Sequence, residues 1–259
     1  SRGIMKLGII QGRLSEPAEG YQDCPANWKR EFDLLHELRL NHIEWIVTKE
    51  NYRSNPIHQV DLKNLPISSV CADFMVDDDF NQIEYLENYL KPVCDLVRKN
   101  HIYYLTIPLL EKSSVVDYDV RDEFANAIYP YLCDYPDIKF LFEAELGIKE
   151  LKGLVMENVG ITYDTGNITS FQIDHEEYIE SFKHDICQVH IKDRTINPMN
   201  TVVPGKGDTD FKTIFKKLKS INYDGLYTLQ TARQEHGNEI ETVKKHKEII
   251  REFYNEKSV

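Results

Sequence analysis

The 259-residue sequence has no long lysine–arginine run, no apolar stretch of bilayer-spanning length and no Cys-x-x-Cys pair. Each absence removes a class of function. With 31 basic against 43 acidic side chains the formal charge is −12, and nothing local offsets it. Duplex nucleic acid and anionic membrane are therefore excluded as partners, whereas a few cations lining a cleft still allow a small anionic ligand. Crossing a bilayer takes roughly 20 consecutive apolar residues, which no segment supplies. The opening Ser1-Arg2-Gly3-Ile4 lacks the apolar core of a signal peptide, so Met5 is read as the native start and residues 1–4 as a remnant of cloning. Cys24, Cys71, Cys94, Cys133 and Cys187 are odd in number and scattered, which argues against a disulfide framework or a thiolate metal site and points to reduced thiols in the cytoplasm.

What is present is a composition of 41% hydrophobic and 29% charged residues, that of a globular chain with a real core. Short apolar runs recur at Leu7–Gln11, His42–Val47, Ile67–Asp73, Ile102–Ile107, Lys139–Glu143, Gly160–Asp164, Ile186–Ile191 and Leu226–Thr231. Helical patterns lie between them at Trp28–Leu40, Pro56–Asn64 (short or irregular), Phe80–Lys99, Asp119–Cys133, Ile148–Met156, Glu176–Phe182, Asp210–Ser220 and Glu239–Tyr254. Pro92 predicts a kink in the third of these. Alternating β and α elements predict a parallel sheet. Eight strands with eight connections fit a closed (β/α)₈ TIM barrel, one domain over residues 1–259, better than an open doubly wound sheet. The first run also ends Gln11-Gly12-Arg13-Leu14-Ser15 rather than in a G-x-G-x-x-G turn, which makes a nucleotide-binding sheet the lesser reading.

Active sites of such barrels form where the strands end. The last four runs finish at Glu143, Asp164, His190 and Gln230, each after apolar wall residues. Singly, such residues are ordinarily solvated groups, helix caps or satisfied core histidines; four at equivalent positions on consecutive strands make a candidate metal set. Two carboxylates, one imidazole and one amide oxygen, without thiolate, suit a single Mn²⁺, Mg²⁺ or Co²⁺, with Zn²⁺ as the alternative.

Glu143, Tyr163-Asp164-Thr165-Gly166-Asn167, Val189-His190-Ile191-Lys192-Asp193 and Gly205-Lys206-Gly207-Asp208-Thr209-Asp210-Phe211 together resemble the xylose isomerase-like TIM-barrel superfamily of sugar phosphate isomerases and epimerases. Leu7-Gly8-Ile9-Ile10-Gln11-Gly12-Arg13-Leu14 and Ile43-Glu44-Trp45 extend the likeness over nearly the whole chain. The resemblance implies one divalent cation held by a Glu, an Asp, a His and a second Glu, with the two Glu residues as acid and base on opposite faces of the substrate. Glu143, Asp164 and His190 match the first three. Gln230 stands in place of the second Glu, and Asn167 where many members carry His. An amide oxygen can bind a metal but cannot exchange a proton near neutral pH, so a two-base mechanism through this pair is not expected.

Further candidates keep two readings each. Lys192 and Asp193 are a proton donor and a carboxylate orienting His190, or an ordinary ion pair. Glu145 faces the same way as Glu143 by strand alternation and is an auxiliary base, or caps the next helix. Glu44, with Gln11, is expected at substrate hydroxyls, or in the core. Arg13, Arg194, Lys206 and Arg233 lie in loops on the expected catalytic side, to hold a phosphate or carboxylate or to pair with acids. Asp210 is expected to cap its helix. The function expected is metal-dependent isomerisation or epimerisation of a sugar or sugar phosphate through a metal-stabilised enediolate, with Glu143 as base. A keto-polyol dehydratase and a degenerate, non-catalytic sugar-binding barrel are the alternatives. A small-molecule sugar is the expected partner, and assembly into a homo-oligomer is left open.

Overall fold

All eight apolar runs form strands, because each alternates side chains between a helix-covered outer face and the barrel axis. The computed structural model describes residues 4–17, 23–77, 83–234 and 236–256. The barrel strands are β1 (Lys6–Ile10), β2 (Ile43–Ile46), β3 (Ile67–Cys71), β4 (Tyr104–Leu109), β5 (Lys139–Ala144), β6 (Val159–Asp164), β7 (Ile186–Ile191) and β10 (Leu226–Leu229). They pair in parallel in chain order, and β10 closes the ring onto β1. Two short strands, β8 (Asp193–Thr195) and β9 (Asn200–Val202), form an antiparallel hairpin in the connection after β7.

Around the barrel run α1 (Trp28–Leu38), α2 (Ile83–Tyr85), α3 (Lys91–Lys99), α4 (Tyr118–Asp134), α5 (Ile148–Lys152), α6 (Thr165–Ser170), α7 (His175–Ser181), α8 (Phe211–Ser220) and α9 (Glu239–Asn255). Helix α8 shows why they form. Phe211, Ile214, Phe215 and Leu218 are buried at three- and four-residue spacing, and the Asp210 carboxylate accepts the Thr213 N–H as the expected cap. The Phe80–Lys99 pattern is not one regular helix. A π-helical turn, Leu86–Leu90, joins α2 to α3, with Pro92 in the first turn of α3; proline lacks the N–H that an unbroken α-helix needs there. Phe80 lies outside the described residues. The Pro56–Asn64 pattern yields only a 3₁₀ turn, Pro56–His58, and α5 stops at Gly153. Helix α6 and the β8–β9 hairpin are unforeseen.

Inside the barrel the inward side chains form two rows. The lower row is polar: Glu44, Ser69, Thr106, Thr162, Gln188 and Thr228 are buried and bonded to one another across six strands. The upper row divides. Ile10, Ile46 and Cys71 from β1–β3 pack together, apart from the main core. Glu143, Asp164 and His190 from β5–β7, with Gln230 just past β10, make the other half, all buried.

Candidate metal centre

Glu44 is the hub of the lower row. Its Oε2 accepts bonds from Ser69 Oγ at 2.7 Å, Gln188 Nε2 at 2.8 Å and Thr106 Oγ1 at 3.0 Å. Its Oε1 lies 2.7 Å from His190 Nε2. Burial works against this carboxylate, but His190 and the hydrogen bonds from Ser69 and Gln188 outweigh it and hold Glu44 below the usual range. A carboxylate that only accepts fixes the imidazole: Nε2 carries the proton, and the Nδ1 lone pair turns up into the cleft.

In the cleft, His190 Nδ1 meets Glu143 Oε2 at 2.9 Å, at contact distance but without hydrogen-bond direction, so both atoms are unsatisfied and buried. Asp164 divides its oxygens. Oδ1 accepts the Asn167 N–H and caps α6, while Oδ2 lies 3.0 Å from Lys192 Nζ, again without hydrogen-bond direction. One donor atom each from Glu143, Asp164 and His190 lie within 4.8 Å of one another. Three buried, inward-facing O and N donors at this spacing fit one divalent cation, since unsatisfied buried polar atoms are otherwise costly. Gln230 adds a neutral side-chain amide at the same rim, and its backbone N–H donates to Ile191 O at 3.0 Å. Burial opposes a charged His190, but Glu44 and Glu143 outweigh it and raise its proton affinity well above the usual value; a cation and a proton therefore compete for Nδ1.

The other sequence candidates divide. Lys192, buried, is in the site against Asp164. Glu145 is partly buried beside it, pushed up by burial against the opposing pull of Arg194 and Lys192. Arg194 sits near both, its guanidinium bonded to Ser170 Oγ and Thr201 Oγ1 at 3.4 Å each. Gln11 Oε1 accepts the Ile46 N–H at 3.1 Å, and its buried Nε2 is unsatisfied.

Two expectations need correction. Glu44 is fully buried one row beneath the cleft and holds His190 rather than substrate hydroxyls. Asp193 does not orient His190; its carboxylate accepts the N–H groups of Gly205, Gly207 and Thr209 and shapes the loop after β9. A Cβ on Gly207 would fall 2.3 Å from Asp193 Oδ1, so the loop needs glycine there. Arg13 and Arg233 are each bonded to loop backbone. Arg13 Nε donates to Thr231 O, and Arg233 donates to Ser15 O and Gly12 O, so the pair ties the loops after β1 and β10 together. Lys206 is exposed at the turn of the outer loop.

Fold and site define a (β/α)₈ barrel with a candidate nitrogen- and oxygen-donor site for a divalent cation at its carboxyl rim. The family model of xylose isomerase-like TIM barrels matches residues 141–253, the stretch from β5 into α9. Inosose dehydratase of Geobacillus thermodenitrificans is 28% identical over 114 residues, 37% of this chain and 38% of the relative. An uncharacterised protein of Methanocaldococcus jannaschii is 29% identical over 105 residues, 40% of this chain and 34% of the relative. The chain thus spans well under two thirds of the curated relatives it matches. Among solved structures, L-ribulose 3-epimerase superposes with a TM-score of 0.74 at 14% identity, covering 97% of this chain and 95% of that one. The IolI protein with a bound zinc atom gives 0.69 at 16% identity, covering 97% and 100%. The 3-keto-D-glucoside 4-epimerase YcjR of E. coli gives 0.69 at 16%, covering 96% and 99%.

Proposed function

We propose that the protein is a divalent-metal-dependent isomerase or epimerase of a sugar. The observation that carries this reading is the buried Glu143, Asp164 and His190 set held from beneath by Glu44. Glu143, Asp164, His190 and Gln230 would hold the cation, with Mn²⁺, Mg²⁺ or Co²⁺ favoured by the donors and Zn²⁺ supported by the IolI likeness. Bound there, a divalent cation polarises a sugar carbonyl and its neighbouring hydroxyl. Glu143 takes the proton from the carbon between those oxygens, leaving an enediolate. Lys192 holds the Asp164 carboxylate in place and presents a cation to developing negative charge. Gln230 binds but exchanges no proton. Ile10, Ile46 and Cys71 give the facing half an apolar floor that keeps water from the reacting carbon.

The likeness to an inosose dehydratase supports a second reading, loss of a β-hydroxyl after the same proton abstraction. One screen separates the two. Protein supplied with Mn²⁺ is incubated with D-tagatose, D-psicose, L-ribulose and inosose, and products are resolved by NMR and mass. An isomer or epimer of unchanged mass supports the first reading, and a product lighter by one water supports the second. No divalent cation bound at millimolar concentration removes both.

A further inference from the structure

On β3, Ser69 and Cys71 face the barrel axis, the first bonded to Glu44 and the second packed on Ile10 and Ile46. Pairing continues one residue further, with the Ala72 N–H donating to Thr106 O at 2.9 Å. The chain then turns over the rim in the 3₁₀ segment Asp73–Asp77. Ala72, Phe74 and Met75 all bury into the outer core. Asp73 between them is only partly buried, within reach of the Glu143 charge on β5. It stands near the level of Glu143: Ala72 bonds to Thr106 of β4, and Pro108, two residues on, pairs with Glu143. Asp73 belongs to the β1–β4 half of the rim, and Glu143 to the half that carries the metal donors.

Among the described residues, no hydrogen bond or ion pair satisfies the Asp73 carboxyl, while Glu31, Glu44, Asp164 and Asp193 all touch a donor or a cationic partner. The charges that act on it are negative: Asp77 on its own turn, Glu50 after β2, Glu143 on β5 and Glu111 after β4. The neighbouring cations, Lys49 and Lys112, act on Asp77 instead. Burial first, then these four carboxylates, push the Asp73 carboxyl up to about 7. An unbonded carboxyl in this setting is costly as an anion and useful as an acid.

We infer that Asp73 is the acid partner of Glu143, giving a proton to the substrate carbon on the β1–β4 side of the cleft while Glu143 takes one on the other. The inference rests on the isomerase or epimerase reading and decides between its two forms. As the carbon–hydrogen bond breaks, its proton forms an O–H bond on Glu143 and its electron pair enters the enediolate. That pair then forms a new carbon–hydrogen bond on the opposite face as the O–H bond of Asp73 breaks. The carbon is inverted, one proton has passed from Asp73 to substrate and one from substrate to Glu143, and exchange with water resets both carboxyls. No oxidant or reductant enters. Asp73 thus supplies the acid that Gln230 cannot.

The test compares wild type, Asp73→Asn and Glu143→Gln on the same ketose panel in heavy water. Asp73→Asn should keep deuterium entry into recovered substrate within about threefold while epimer formation falls at least about 100-fold. Glu143→Gln should lose both, and its failure to do so would indict the base assignment rather than Asp73. Unchanged epimer formation in Asp73→Asn would overturn the inference. Infrared spectroscopy provides a reading that needs no substrate. The part of the protonated-carboxyl carbonyl band that is lost in Asp73→Asn should fade in wild type as pH rises through about 7 and persist in Glu143→Gln. A wild type without that band, or a band left unchanged in intensity by Asp73→Asn, overturns the inference whatever the protein acts on.

Discussion

Replacing Glu44 by Gln changes two atoms' chemistry and almost no volume, and the network around it dictates the result. Three donors, from Ser69, Gln188 and Thr106, converge on Oε2. A glutamine keeps all three only if its single oxygen occupies that place. Its NH₂ group then faces His190 Nε2, which in wild type is 2.7 Å from a carboxylate oxygen. Two donors cannot face each other, so Nε2 must become the acceptor and the imidazole proton must move to Nδ1, the atom turned toward Glu143 and Asp164. Flipping the amide instead sets its NH₂ against the Gln188 NH₂ and loses bonds in the lower row. The first arrangement wins, and it blocks the metal-binding lone pair. Loss of such an orienting partner costs about 10- to 100-fold in metal affinity, or about 1.4 to 2.7 kcal/mol. Calorimetric titration with Mn²⁺ and with Zn²⁺ measures the affinity, nitrogen-15 NMR of His190 reports the tautomer, and urea unfolding of the metal-free protein shows that the fold persists. Unchanged affinity with the proton still on Nε2 would refute the argument.

Glu143→Gln should reduce solvent-deuterium entry into substrate by about 10²- to 10⁴-fold, the usual size of a general-base contribution, while metal still binds through the amide oxygen; unchanged exchange by NMR would remove Glu143 as base. Gln230→Glu should tighten metal binding in calorimetry, because it adds an anionic donor to Glu143 and Asp164, and a weaker site would show that residue 230 lies outside the metal's reach. Stability should fall on acidification. Burial lowers His42, His175 and His246 to about 4 each from an ordinary 6.5, so the unfolded chain binds protons first as pH drops. The stability these neutral imidazoles preserve above about 6.5 is lost as pH falls toward about 4, at most about 3 kcal/mol for each. The His190 shift is upward and has run its course above this window. Urea unfolding at several pH values checks the slope, and a flat profile would contradict it.

Strands were legible because a parallel barrel strand is apolar on its outer face and short, and those two features locate it without reference to the rest of the chain. Glu143, Asp164 and His190 were legible because strand ends are where a barrel exposes its interior. What depended on long-range partners was not. The acceptors for Arg13 and Arg233 are backbone carbonyls about 220 residues away, 218 for Thr231, 218 for Ser15 and 221 for Gly12, and nothing local distinguishes such an arginine from a phosphate ligand. Asp193 finds its donors 12, 14 and 16 residues on, across a hairpin whose two strands are only three residues each. Helix α6, with Thr, Gly, Asn, Ile, Thr and Ser, has little helix propensity. It forms because Asp164 spends one oxygen on its N-terminus and keeps the other for the cleft, a double use that the identity of one residue conceals.

Glu44 is the instructive case, because the information was present in a form that a strand-by-strand reading does not combine. The sequence places it on the inward face of β2, but depth follows from register: β2 continues two residues past it to Ile46, so Glu44 belongs a row below the rim. The inward positions around it are Ser69, Thr106, Gln188 and Thr228, each polar within an otherwise apolar strand. A closed barrel tolerates polar groups at its axis only when they satisfy one another. These are hydroxyls and an amide, with donors to spare, and a carboxylate accepting from several of them is the group that satisfies them together. Its remaining oxygen then points to the one imidazole on the row above, and that bond turns a packed polar core into the support of the proposed metal ligand.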